Sequence, residues 1–361
     1  MYDLQKLKQE NRQTSNSNTK QSQNTTRTTD HNLRNFEKFC QSKFNSNSNE
    51  IMLEASKDGK DGIIAVLQSW INWNLDRKLL PRSFRSMASA IKTKFYKNGG
   101  IILNKEDMKN LTFGKILKEA RGIISADMIE NLINHSDKQR KCLYLLQSCS
   151  AMRIGELLQL RKKHFDFSKE RIQVNLSASM TKSGESRITF VSKECEKLLL
   201  PILKKLNDND IVFPNKIASE QHAFRRISEI AGYTELYETT GRCKISTHTL
   251  RAYAITQMNK LNLFGFGHVL AGHGFYMKTY NRRTPDELLE DYIKAEKYLQ
   301  VFNRVSYDTL KEIEELTKQM NEMETKHNKI YEDMKAQNDQ KLRIIESIIA
   351  RDQKALIASK A

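Results

Sequence analysis

ISTHTLRAYA, residues 245–254, marks the point where a polar stretch gives way to a helical pattern. Leu250, Ala254, Met258 and Leu261 recur at spacings of three and four, the stripe that an amphipathic helix buries. Thr247 stands ahead of it as N-cap, because its hydroxyl can accept from an unpartnered first-turn N–H. In this register His248 and Arg251 share a face beside the apolar stripe rather than within it. Helix starts attract anions because their first N–H groups lack internal acceptors. An imidazole and a guanidinium added there would grip a phosphate. Taken alone, H-x-x-R is more often a solvated first turn, so the rest of the chain has to decide.

The chain has 361 residues and is 39% hydrophobic, enough for two ordinary domains plus extensions. Lys and Arg total 60 against 43 acidic residues, a formal charge of +17. The excess lies in the body: residues 306–361 hold ten basic and eleven acidic side chains, residues 1–305 fifty and thirty-two. Such a balance favours a polyanionic partner, nucleic acid above all. No apolar run approaches the roughly twenty residues that span a bilayer, and the amino terminus has no signal-peptide core. The expectation is a cytoplasmic, nucleoid-associated protein with no membrane partner. Cys40, Cys142, Cys149, Cys195 and Cys243 form no C-x-x-C pair. They read as unligated thiols in a reduced compartment, with no structural metal.

Residues 1–28, dominated by Asn, Gln, Ser, Thr and Lys, read as a disordered polar tail. Residues 29–105 show helical patterns only, with Phe36, Phe39, Phe44, Ile64, Val66, Leu67, Trp70 and Trp73 as core. A linker follows at 106–119. From 120 to 305 the pattern is mixed. Ser125 caps a helix, RKCLYLLQSCSA (140–151) reads as a buried one, and RIGELLQL (153–160) as a short one. Two β-rich runs, RIQVNLSA (171–178) and SRITFVS (186–192), flank a turn at Ser183 and Gly184. Helical patterns resume to residue 305. The fold class expected is mainly α with a small β-sheet (α+β) in the second domain, behind an all-helical first domain. Residues 306–361 read as a helical tail with a coiled-coil seam through Ile313, Leu316, Met320, Met323, His327, Ile330 and Met334.

Four separated segments supply residues suited to a phosphodiester. SCSAMRIGELLQL carries Arg153 with Glu156 one turn on; MTKSGESR carries Lys182 at a hairpin tip; HTLR carries His248 and Arg251; LAGHGFYMKTYNR carries His273 and Tyr280. This ordered set, Arg, Lys, His-x-x-Arg, His, Tyr, resembles the tyrosine recombinases, or phage-type integrases, over roughly residues 30–305. AMRIGELLQL is similar to that family's first arginine box and LAGHGFYMKTY to its second. TPDELLEDYIKA resembles the segment after the nucleophile in an archaeal branch.

Attack by a phenol on a phosphodiester passes through a phosphorane with extra negative charge, which Arg153 and Arg251 suit because a guanidinium meets two oxygens at once. The resemblance implies Tyr280 as nucleophile, Lys182 as general acid to the leaving 5′-oxygen, and His248 and His273 as further donors. Glu156 would orient Arg153. Lys193 is the fallback for Lys182. Tyr276 and Tyr292 are the other tyrosines near the second box, because the gap from His273 to Tyr280 is seven residues where most relatives have nine. No metal or other cofactor is implied, and no G-x-x-x-x-G-K-[ST] loop is present. The partners implied are double-stranded DNA, further copies of the chain as dimer or tetramer on DNA, and accessory DNA-bending proteins. Arg82, Arg85, Lys92 and Lys94 are DNA-binding candidates in the helical domain. Two other readings stay open here: a type IB topoisomerase that reseals the same strand, and a DNA-binding regulator with this fold and no chemistry.

Overall fold

The computed structural model describes residues 23–261, 263, 265–273, 283–302 and 307–358. The chain divides into two units: residues up to Arg121 with Glu235–Lys244, and Gly122–Thr234 with the chain from Ile245 onward. Among the described residues no helix is long and apolar enough to cross a membrane.

The first unit is helical: α1 (Gln23–Phe44), α2 (Ser48–Lys57), α3 (Gly59–Asp76) and α4 (Pro81–Gly99). Asn47 caps α2 by accepting from the backbone of Asn49 and Glu50, and Pro81 opens α4, where a missing N–H costs nothing. Phe36, Phe39, Trp70, Phe84 and Phe95 are fully buried. Phe36 meets Trp70 edge-on at 6.4 Å, and Trp70 meets Phe84 edge-on at 6.2 Å. Burying a Trp also requires a partner for its N–H, and Trp70 donates to Asn35 Oδ1 at 2.8 Å.

Three sequence expectations change here. Helix α1 begins at Gln23, so its first turns lie inside the segment read as tail, where the polar, Thr-rich sequence shows no apolar period. Phe44 is 42% exposed, because it ends α1 past the bundle. On α3 the buried stripe is Ile63, Leu67, Trp70, Ile71 and Asn74, leaving Ile64, Val66 and Trp73 half-buried on its flank.

The second unit comprises α5 (Ala126–Asn134), α6 (Lys138–Ser150), α7 (Ile154–Leu157), β1 (Phe165–Asp166), β2 (Gln173–Leu176), β3 (Arg187–Phe190), α8 (Lys193–Leu203), α9 (Ile217–Ile230), α10 (Thr247–Met258), α11 (Phe266–Ala271), α12 (Pro285–Leu299) and α13 (Tyr307–Ala358). The strands form one antiparallel sheet in the order β1-β2-β3, with Phe165 opposite Val174 and Leu176 opposite Arg187. Both β-rich runs of the sequence are strands; β1 is additional, too short to carry a period-2 signal.

Every residue of α6 from Cys142 to Ser150 is buried, and α10 packs against α6, α11 and α12. A helix so enclosed shows no amphipathic stripe, only continuous burial. Ser246, not Thr247, is the N-cap of α10, and its backbone N–H donates to Thr249 Oγ1 at 3.3 Å. Tail helix α13 runs 52 residues, and Leu316, Met320, Met323, Ile330 and Met334 along it are all exposed.

Candidate active site

The site is assembled on the carboxy-terminal end of α6. Ala151 takes the left-handed conformation, φ +55°, and turns the chain out of the helix into Met152 and Arg153. A helix end leaves its last carbonyls without internal donors. Here three side chains from three later elements supply them. Tyr292 Oη on α12 donates to the Cys149 carbonyl at 3.1 Å, Thr189 Oγ1 on β3 to Ser150 at 2.8 Å, and Arg251 Nη1 on α10 to Ala151 at 2.5 Å.

Arg251 is fully buried. Its Nη2 donates to the Ala271 carbonyl at 2.8 Å and to His273 Nε2 at 2.9 Å. Its Nε has no partner among the described residues, and Nη1 stands 3.9 Å from Glu156 Oε2, beyond a hydrogen bond. Burial, with repulsion from Arg153 and Arg187, brings the guanidinium down to about 10 against the pull of Glu156. The sequence placed His248 and Arg251 together beside the apolar stripe. The structure separates them: Arg251 enters the core while His248, on the same turn, is exposed.

Glu156 is the anionic centre. Its carboxylate accepts from the Arg153 backbone at 2.7 Å, from Arg153 Nη1 at 2.9 Å, and from Arg187 Nη1 and Nη2 at 3.2 and 2.6 Å. Burial pushes this carboxyl upward, but the hydrogen bonds and charge of Arg187, with those of Arg153, outweigh it and hold Glu156 below the ordinary carboxylate value. Arg187 escaped the sequence reading altogether. It sits at the start of β3, donates from Nε to the Leu270 carbonyl at 2.9 Å, and ties the sheet to α11 and α7. The available signal was a guanidinium opening an otherwise apolar strand, SRITFVS.

His273 follows Gly272, whose φ of +67° ends α11. The His273 ring meets Arg251 through Nε2 and the ring of His268 through Nδ1, at 2.9 Å. Desolvation, then the charges of Arg251, His268, Arg153 and His248, lower its pKa to about 4. Arg153, Glu156, Arg187, Arg251, His268 and His273 thus form one connected cluster. Lys182 is exposed at the turn between β2 and β3. Lys193 is exposed in the first turn of α8. Tyr276 and Tyr280 lie outside the described residues. Tyr292 is fully buried, its hydroxyl spent on Cys149. Among the described residues no three His, Cys, Asp or Glu side chains converge as metal ligands.

In the helical unit Arg82 and Arg85 are exposed on α4, and the Arg85 guanidinium lies 5.1 Å from the centre of the Phe113 ring. Lys92 is half-buried, and Lys94 donates to Ser48 Oγ at 3.1 Å.

Residues 123–263 match the model of the phage integrase family, and the segment that builds most of this cluster is a domain of that family. No curated protein matches the sequence. Among solved structures it is similar to XerA recombinase (19% identity, 74% of this chain and 98% of that one, TM-score 0.36). It is also similar to the Tn1549 transposon integrase in complex with circular intermediate DNA (14% identity, 72% and 98%, TM-score 0.45). A third is a lambda integrase dimer bound to a core site (14% identity, 76% and 96%, TM-score 0.46).

Proposed function

We propose that this protein is a site-specific DNA recombinase that cleaves and rejoins strands through a 3′-phosphotyrosyl intermediate. The observation that carries this reading is Arg251: a buried guanidinium held by two carbonyls and an imidazole, with Nε unpartnered among the described residues. A buried N–H donor left unpaired costs about 1–3 kcal/mol. A ligand oxygen supplied to it recovers that energy, and an oxygen carrying developing negative charge recovers most.

In this reading Arg251 and Arg153 hold the nonbridging oxygens of the scissile phosphate, and Glu156 fixes Arg153 by a two-point contact. Lys182, on its exposed turn, reaches the leaving 5′-oxygen and protonates it, a task for a mobile ammonium rather than a packed one. His248, exposed at the start of α10, and His273 add donors or acceptors around the phosphate. Tyr280 attacks, and its phenolate is favoured by the surrounding cations. The phosphotyrosyl bond keeps the energy of the broken phosphodiester, so rejoining needs no nucleotide. Self-association is part of the proposal, supported by the exposed apolar stripe of α13. Charged substitutions at Met320 and Ile330 should then shift the sedimentation of the full chain toward monomer.

The chemistry is tested with nicked suicide DNA fragments drawn from a randomised pool. Denaturing gels should show a covalent protein–DNA adduct in the wild type and none in Tyr280→Phe. An adduct that survives this substitution moves the nucleophile to another tyrosine, and DNA binding without any adduct favours a regulator.

A further inference from the structure

His268 belongs to none of the motifs that mark this site, yet it touches the site directly. Helix α11 ends in a Schellman motif: Gly272 takes the left-handed conformation, and the His273 N–H reaches back to the His268 carbonyl at 3.0 Å. In that motif the second residue past the helix lies over the residue three from its end. In most proteins the two are apolar and simply pack. Here both are imidazoles, with ring centres 5.2 Å apart and Nδ1 atoms 2.9 Å apart.

The bonding pattern fixes the protons. Arg251 Nη2 can only donate. His273 Nε2, 2.9 Å away, must therefore offer a lone pair, and a neutral His273 carries its proton on Nδ1. That proton points at His268 Nδ1, which accepts it, leaving the proton of His268 on its own Nε2. The reverse arrangement would set N–H against N–H between His273 and Arg251. Desolvation, and the guanidinium charges of Arg251 on α10 and Arg153 ahead of α7, disfavour a second proton on the His273 ring.

We propose that His268 is a positioning residue: by accepting the Nδ1 proton of His273 it locks that ring in one tautomer, with the Nε2 lone pair facing the phosphate-binding guanidinium. This rests on the recombinase reading for its role in the reaction, while the locked tautomer itself does not. Once Arg251 turns its Nη2 donor to a phosphate oxygen, the Nε2 lone pair is released as a proton acceptor for an incoming phenol. The phenol O–H bond breaks and an Nε2–H bond forms. The Nδ1 proton of His273 passes to His268 Nδ1, and the Nε2 proton of His268 leaves to water. No positive charge then accumulates on His273 beside Arg251 and Arg153. A single imidazole against two guanidiniums could not take that proton as readily.

The test begins without DNA, on the full chain with ¹⁵N-labelled imidazoles. Two-bond ¹H–¹⁵N correlations distinguish the tautomers of each ring, and the His273 signals are assigned by their loss in His273→Gln. Wild-type His273 should be the Nδ1–H tautomer. His268→Leu should leave that proton without an acceptor and bring in a share of the Nε2–H tautomer, which Arg251 still opposes, whereas His268→Gln, whose side-chain oxygen can still accept, should keep Nδ1–H alone. A wild-type His273 protonated on Nε2, or a tautomer indifferent to His268→Leu, overturns the inference whatever the enzyme does. In the adduct assay His268→Leu should slow strand cleavage about tenfold or more, while His268→Gln, which keeps the tautomer but cannot pass the proton on, should be slowed less. Cleavage by His268→Leu at the wild-type rate overturns the inference and leaves the recombinase reading intact. A tautomer lock with no adduct in the wild type overturns the recombinase reading and leaves the coupling of the two rings standing.

Discussion

The guanidinium of Arg187 lies fork against fork on the carboxylate of Glu156, at 2.6 and 3.2 Å, with both side chains buried. This pair is the joint between the strand that carries Arg187 and the short helix that carries Glu156. Removing one partner of a buried pair costs about 3–5 kcal/mol when the other charge is left uncompensated, and here Arg153, which keeps its own two contacts with Glu156, holds the cost below that. Arg187→Ala should lower the denaturant midpoint of the full chain, and Arg187→Lys, which keeps the charge but not the fork, should fall between. If Arg187→Ala unfolds like the wild type, the joint holds nothing together.

Glu156 also sets a pH dependence. Its carboxyl titrates lower in the folded chain than in the unfolded one. The unfolded state therefore takes up the proton first, and the stability that Glu156 supplies is present above the unfolded value, roughly 4.3, and lost as pH falls through the folded one. Glu156→Gln should flatten the acid limb of the stability curve below about pH 4.5 while lowering stability at neutral pH. A parallel acid limb in wild type and variant would count against a charged, compensated Glu156.

How far the sequence carries follows from the same residues. Helices with strong local punctuation were readable: Ser125 caps α5 with its hydroxyl on the Met128 N–H, and the turn at Gly184 joins β2 and β3. Arg153, Glu156, Arg251 and His273 stand out in the sequence as candidates, because box spacing brings guanidinium and imidazole types forward in order, and the fold brings the four together. The depth of each was not. Arg251 and His248 are three residues apart on one helix, and only the packing of α10 against three neighbours sends one inward and the other out. Arg187 stayed hidden because its partner is 31 residues away, across a turn and a sheet. His268 stayed hidden because a Schellman motif is read from its glycine, not from the side chains that it stacks.

His273 should behave unlike an ordinary histidine. With desolvation and nearby cations lowering its pKa to about 4, the ring stays neutral from pH 8 down to about 5. Because its folded value lies below the unfolded one, near 6.5, stability falls as pH drops between those values: the unfolded chain charges this ring first. An NMR titration of the imidazole signals should find the midpoint of His273 well below those of the exposed histidines. A midpoint near 6.5 would mean that the ring is not enclosed by Arg251 and His268.

Gly272 admits no side chain. At φ +67° an L-residue is strained, and an added Cβ would stand 2.7 Å from Arg187 Cδ. Gly272→Ala should therefore cost more than the roughly 1 kcal/mol typical of the backbone alone, because Arg187 must move and loosen its grip on Glu156. The expected readout is a lowered denaturant midpoint together with loss of the His268–His273 coupling. A substitution that costs no more than the backbone strain would show that Arg187 has room to shift.

DNA affinity should report the same division between buried and exposed cations. Neutralised phosphates release counterions, so log affinity falls with log salt at a slope of about 0.9 per phosphate contacted. Arg82 and Arg85 project from α4 into solvent, and the contact with Phe113 holds Arg85 in a fixed direction at little entropic cost. Arg82→Gln and Arg85→Gln should each reduce the slope by about one. Lys94 is committed to Ser48 and lies close enough to Glu37 to lower its pKa, so Lys94→Gln should leave the slope nearly unchanged. A full-chain affinity flat between low and moderate salt would contradict the reading of the +17 charge as a DNA-binding surface. Equal effects at Arg85 and Lys94 would mean that charge alone, not its direction, sets the contact.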